Sequence, residues 1–245
     1  MVGKCLIFIG IFITLSAARA AYPERPVRMI VPQGPGAAVD NLARVLAARM
    51  GELLGQQIVI DNRPGASGMI GIDLVVNAAP DGHTLLATST GIHVVAPQLH
   101  KKISFDPLRD LAPISLFAVT QNALVVHPSV AAKTLKDFVA QAKANPGKLN
   151  MASAGAGTQS HLASVQFMLA AGIDAVHVPY KGGGAMATAL LSNEAQFNVT
   201  PVPGVLPYIK SGRLRALGTA GTARSTQLPD VPTIIEGGVA GYQSS

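Results

Sequence analysis

Short aliphatic and β-branched runs at residues 28–31, 57–61 and 84–88 are bounded by Gly or Pro, the pattern of buried strands. Between the first two, residues 40–54 are rich in helix formers. Leu42, Val45, Leu46, Met50 and Leu53 recur there at three- and four-residue spacing and are expected to line one helix face until Gly55 stops it. A further helix is expected over 68–79. Strands alternating with helices predict βαβ units and a mainly parallel sheet. Residues 101–113 break the rhythm with Pro107 and Pro113, which places a crossing between domains there.

A second series follows. Strands are predicted near 114–119 and 122–126, a helix over 134–144, a strand over 148–152, a helix over 158–171 and a strand over 175–178. After a Gly-rich turn at 180–184 come helix 185–192, strand 195–199, helix 203–211 and strand 213–219. Asn145-Pro146-Gly147 stops its helix. The fold class is therefore α/β, with two lobes and a cleft between them. Lobe 1 is assigned to 21–105, with 223–245 returning to it, and lobe 2 to 106–222. Ligand sites in such sheets lie at strand C-terminal ends.

The N-terminus stands outside this pattern. Lys4, an apolar run from Cys5 to Leu15 and then Ala18-Arg19-Ala20 read as a signal peptide over 1–20, cleaved after Ala20. The run is too short to span the roughly 30 Å of a bilayer's hydrocarbon core. Cys5 precedes the apolar run, which disfavours a lipoprotein signal. Cleavage removes the chain's single cysteine, so no disulfide or thiol chemistry is expected.

Nearly half the residues are hydrophobic, yet only 4% are aromatic and Trp is absent, so Val, Leu, Ile and Ala must build the core. The formal net charge is +6 before the signal, with Lys4 and Arg19, is lost. Without Lys/Arg blocks this excess does not point to nucleic acid, but it favours encounter with anionic solutes.

Two segments carry the candidate chemistry. Residues 27–40 and 152–162 each run from a strand through a Gly-rich turn into the first turn of a helix. Such turns aim unpaired backbone N–H groups and a helix dipole at one point, which suits an anion. Gly34-Pro35-Gly36 lacks the third glycine of a dinucleotide fingerprint, since Val39 stands there. Asp40 either caps its helix or sits further into the first turn. Ser67 lacks the frame of a nucleophile elbow and is expected to cap a helix. Thr88 to His93, at a strand end, fits ligand contact and an ordinary turn equally. Thr158, Gln159 and Ser160 are expected to donate to an anion; a P-loop would need the missing Gly-Lys-Ser/Thr. His83, His93, His100, His127, His161 and His177 show no metal spacing, and no carboxylate pair stands out for acid–base work, so no metal or cofactor is expected.

Taken together, Tyr22-Pro23, Ile30-Val31-Pro32, Pro35-Gly36, Asp40, Asn62-Arg63-Pro64-Gly65-Ala66, Ala79-Pro80-Asp81-Gly82, Ala144 to Leu149, Ser153-Ala154-Gly155, Ser160-His161-Leu162, His177 to Gly182, Gly212 to Leu217 and Leu228 to Thr233 resemble the Bug (TctC) family. These are periplasmic solute-binding components of tripartite tricarboxylate transporters. The resemblance implies a type II periplasmic-binding fold, a monomer, and a small carboxylate ligand passed to membrane partners, with no nucleic acid involved. It implies contacts from Gly36, Ala37, Ala38, Ser89, Thr90 and His93 in one lobe. Ala154, Gly155, Thr158, Gln159, Ser160 and Thr200 are the contacts implied in the other.

The chain departs from the family pattern in three places. Gly36-Ala37 replaces a usual Gly-Gly, which would strain Ala37 if that position needs positive φ. Strand 195–199 leads into Thr200-Pro201 where an Asp or similar polar residue is usual; this favours an organic acid over an amino acid. The family's usual segment beyond Gly241-Tyr242 is missing, so the first lobe is expected to be incomplete at its C-terminal end. The competing readings are a secreted hydrolase using Ser67 or Ser89 with a histidine, and the effector domain of a regulator. The missing elbow argues against the former. The signal peptide and the lack of a DNA-binding helix-turn-helix argue against the latter.

Overall fold

A computed structural model of the chain describes residues 22–100, 102–242 and 244. The expected signal peptide, 1–20, lies outside the described residues. Strand β1 (Val27–Val31) is the middle of a three-stranded parallel sheet, flanked by β2 (Ile58–Asn62) and β3 (Thr84–Leu86). Helix α1 (Ala38–Leu54) covers this sheet, but not with the predicted stripe. Val39, Ala43 and Ala47 are buried, with Leu46 and Met50 packed beside them, while Val45 and Leu53 are 73% and 70% exposed. Both stripes have helical period. The one carrying alanines wins because small side chains let the helix backbone lie close to the strands. A 3-10 turn (Ala66–Gly68) opens α2 (Met69–Val76), and a π-helical stretch (Gly91–Val95) continues into α3 (Ala96–Leu99).

The second sheet has five strands in the order β6-β5-β7-β4-β8: β4 (Asn122–Val126), β5 (Asn150–Ser153), β6 (Val176–Pro179), β7 (Phe197–Pro201) and β8 (Arg215–Thr219). It is mixed, since β4 runs antiparallel to both β7 and β8. Helices α4 (Leu135–Ala144), α5 (Gln159–Ala171), α6 (Gly183–Leu191) and α7 (Val202–Lys210) accompany it. Alternate residues of β4 serve opposite faces. Leu124 and Val126 join Phe138, Phe167 and Phe197, whereas Ala123 and Val125 join Leu190, Val205 and Leu214.

Two expectations are corrected. Residues 114–119 form no strand: Ile114 and Leu116 are 80% and 81% exposed, and the segment runs between the lobes without meeting either sheet edge. Beyond β8 the described residues form turns. Thr233 and Glu236 exchange hydrogen bonds at 2.6 and 3.0 Å like a helix start, but Gly237 and Gly238, the latter at φ +98, follow at once. Nor do the described residues after 222 return to the first lobe. Ile234, Val239 and Tyr242 complete the second lobe's core beside Phe138 and Phe167, and the Tyr242 hydroxyl donates to the Ala163 carbonyl at 2.9 Å. Thr233 bridges to Thr219 at the end of β8.

Candidate functional site

The lobes enclose a cavity of ≈ 330 Å³. Its walls are the turns that follow β1, β3 and β5, the end of β7, the starts of α6 and α7, and the crossing segment 115–120. The lobes touch around it. Asn41 Nδ2 donates to the Pro203 carbonyl at 3.0 Å, and a Cβ on Gly91 would stand 2.8 Å from the Gln159 amide, so only glycine fits. Ser67 is not a helix cap. It sits at φ +54 and donates its hydroxyl across the lobes to the Ala156 carbonyl at 2.8 Å.

In the first lobe, positive φ falls on Gly36 (+78), while Ala37 has φ −66, so Ala37 carries no strain. Ala37 is the N-cap of α1 and supplies no side-chain acceptor. Asp40 lies in the first turn instead. Its carboxylate accepts from the Gly36 amide at 2.8 Å and from Arg44 and Asn62. Burial opposes its ionisation, but the Arg44, Asn62 and Gly36 hydrogen bonds outweigh that and hold the carboxyl below the usual range. The first amides of α1 have no acceptor within the helix, and Ala38 and Val39 in that first turn line the cavity.

In the second lobe, Thr158 is the N-cap of α5 but does not cap it. Its hydroxyl donates back to the Gly155 carbonyl at 2.6 Å, and Ser160 Oγ accepts from the Ala154 amide at 3.0 Å. These hydroxyls, expected to face a ligand, are committed to shaping the turn. The start of α5 is left without a side-chain cap, and Gln159 and Ser160 line the cavity.

Of the anticipated contacts, the structure brings Gly36, Ala37, Ala38, Ser89, Thr90, Ala154, Thr158, Gln159, Ser160 and Thr200 to this one cavity. His93 and Gly155 are not on its wall. His93 lies in the π-helical stretch, and Gly155 lines a neighbouring cavity of ≈ 380 Å³ with Ser67, Tyr180 and Lys181. Sequence reasoning missed Gln33, Met186 and the segment 115–120; Thr88 it placed only in a segment with two readings. Three buried polar atoms on this wall, Gln33 Oε1, Thr88 Oγ1 and Ser89 Oγ, have no partner among the described residues. Among the described residues that line the cavity, none is ionisable.

Hydrolase chemistry finds no support here. Ser67 donates to a backbone carbonyl, and neither Ser89 Oγ nor His93 Nδ1 has a partner among the described residues. Ser153 Oγ does lie 2.7 Å from His177 Nε2, but Ser153 is fully buried behind the turn and off the cavity wall. Among the described residues no three His, Cys, Asp or Glu side chains cluster to hold a metal, and no helix is long and apolar enough to cross a membrane.

Comparison with known proteins agrees with this architecture. A UPF0065 protein in the tcbD-tcbE intergenic region of Pseudomonas sp. is 39% identical over 98% of this chain and 73% of its own length. Protein BugT of Bordetella pertussis is 38% identical over 99% of this chain and 76% of its own. Among solved structures, R. palustris Rpa4515 with adipate superposes with a TM-score of 0.88 at 32% identity, over 91% of this chain and 75% of that one. MatC from Rhodopseudomonas palustris with bound malate gives 0.83 at 32% identity, over 91% and 76%. The fold is thus the two-lobe fold of periplasmic binding proteins. Residues 42–245 match the model of the tripartite tricarboxylate transporter family receptor, TctC, and the chain belongs to that family.

Proposed function

We propose that the chain is an exported, monomeric solute-binding protein that captures a small organic acid between its lobes, delivers it to the membrane components of a tripartite transporter, and catalyses no reaction. One observation carries this. Two helix starts without side-chain caps line a single cavity together with Ser89, Thr88 and Gln33, whose buried polar atoms have no partner among the described residues, and none of the described lining residues is ionisable. A carboxylate at the starts of α1 and α5 meets both dipoles and supplies the acceptor that the Ser89 hydroxyl lacks. An α-ammonium group would find no carboxylate there, so organic acids are favoured over amino acids. The adipate and malate bound to the two R. palustris proteins belong to the same class.

A thermal-shift and calorimetry panel of organic acids, amino acids and sugars tests this. Stabilisation by acids, and none by their amides, is expected. Stabilisation by sugars alone, or turnover of an ester panel, overturns it.

A further inference from the structure

The turn at residues 154–158 has two neighbours to satisfy. Ala154 and Thr158 line the cavity, while the Ala156 carbonyl takes the Ser67 hydroxyl and Gly157 presses on Leu99 and Ala96 of the first lobe. Its shape is held from behind. The Gly157 amide donates to His161 Nδ1 at 3.1 Å. The Gly155 amide donates to Ser153 Oγ at 3.2 Å, and that oxygen lies 2.7 Å from His177 Nε2. The two imidazoles stack, with centroids 4.2 Å apart and planes 20° from parallel.

These partners assign the protons. Gly157 offers an N–H, so His161 Nδ1 is the acceptor and its proton sits on Nε2. Ser153 Oγ already accepts from Gly155. Among the described residues the acceptor within reach of its own proton is His177 Nε2, and that pairing corresponds to His177 protonated on Nδ1. Adding a proton to His161 Nδ1 turns it against the Gly157 amide. Adding one to His177 Nε2 makes that nitrogen a donor, so the Ser153 hydroxyl must turn its proton away from the ring.

We propose that His161 and His177 are positioning residues of the ligand site, holding the 154–158 turn in its cavity-lining form only while both rings are neutral, so that the solute is gripped at neutral pH and released as the medium acidifies. This rests on the carboxylate reading of the cavity. Burial depresses the affinity of both rings for protons, and His161 depresses that of His177 further. Around the pair, α5 contributes His161, β6 His177 and β5 Ser153, while the turn contributes backbone amides; among the described residues His161 is the ionisable group that acts on His177, and burial alone acts on His161. A histidine whose folded pKa is depressed adds stability that is complete above its unfolded value and lost as pH falls through the folded one. The turn is therefore firm near neutrality and loosens in acid. A cation behind the turn would also draw an anion in. Neither ring lines the cavity, however, and both are partly buried, so that attraction acts at a distance whereas the displaced amides belong to the turn itself.

The test measures affinity by calorimetry with adipate, malate and benzoate as probes. Wild-type affinity is expected to fall about tenfold or more between about pH 7.5 and about pH 5. The double variant His161→Asn with His177→Gln keeps a non-titrating acceptor at each position, and its affinity ratio over the same range is expected to stay under about threefold. The same variant controls for protonation of the probe. Tighter binding in acid, or an undiminished slope in the double variant, overturns the proposal. Nitrogen-15 spectra of the unliganded protein judge the pair without any ligand. His161 should be the Nε2–H tautomer, both rings should titrate below the ordinary histidine value, and the Gly157 amide resonance should follow them. Independent titration at the ordinary value refutes the pair even if acids bind. If none of the probes binds but the spectra behave as expected, the carboxylate reading fails while the coupling of the pair to the turn stands.

Discussion

The Ser67 hydroxyl of the first lobe and the Ala156 carbonyl of the second are joined at 2.8 Å, and the chain accepts a left-handed serine, φ +54, to make that bond. A neutral hydrogen bond contributes about 1 kcal/mol, so Ser67→Ala is expected to weaken ligand capture roughly fivefold with little change in melting. Ser67→Gly relieves the backbone without restoring the bond, and should also bind weakly. If calorimetry gives both variants wild-type affinity, the seam does not contribute to closure.

Ser89→Ala and Thr158→Ala separate direct contact from turn shape. Ser89 lines the cavity and its Oγ has no partner among the described residues, so on the proposed reading its loss should lower affinity about tenfold or more while leaving stability intact. Thr158 Oγ1 is bonded to Gly155, so its loss should lower melting temperature and affinity together. Paired calorimetry and melting curves distinguish them. An affinity loss for Thr158→Ala without any loss of stability would return that hydroxyl to the ligand.

Asp40 is buried and tied to Arg44, Asn62 and Gly36. Asp40→Asn should destabilise the fold by about 1–3 kcal/mol, toward the lower end because Arg44 is half-exposed and solvent screens the pair. Its depressed carboxyl pKa gives stability that is present above the ordinary carboxylate value of about 3.9 and lost as pH falls through the folded value. Acid denaturation of the variant should lack that component. Superimposable acid transitions would show that Asp40 is not tied as its geometry indicates.

Tyr242 decides which lobe owns the last residues described. Its hydroxyl, pushed up to about 12 by burial, should titrate late in an alkaline absorbance titration. Tyr242→Phe should cost about 1 kcal/mol and Tyr242→Ala about 3–5 kcal/mol. Hydrogen exchange in the alanine variant should accelerate around Phe138 and Phe167 and leave β1 to β3 unchanged. Loss of protection in the first sheet instead would restore the expected return of 223–245 to that lobe.

The βαβ order, the helix stops and both cavity-lining turns were legible because each rests on local chemistry: apolar runs, Asn145-Pro146-Gly147, and Gly36 and Gly155 where φ must be positive. Residues 114–119 were not. They have strand composition, but a strand exists only where an edge receives it. The face of α1 was misjudged because Leu42-Val45-Leu46 outweighs Ala43 and Ala47 in hydrophobicity, whereas close packing prefers the smaller pair. Ser67 and Thr158 were assigned roles by residue type alone. Their actual partners, Ala156 and Gly155, follow from tertiary placement and from a backward turn that no spacing encodes.

The uncharged wall of the cavity separates arrival from departure. A site clamped by arginine or lysine both attracts and retains its anion through a field that salt weakens. Here the long-range attraction comes only from the positive balance of the chain as a whole, and it is screened over roughly 10 Å at moderate ionic strength. On the proposed reading the grip comes from amides and hydroxyls in contact with the solute, which bulk ions do not reach. Salt should therefore slow association and leave the residence time nearly untouched, so the rate at which cargo can be handed on is set by the opening of the lobes and not by the salinity outside the cell.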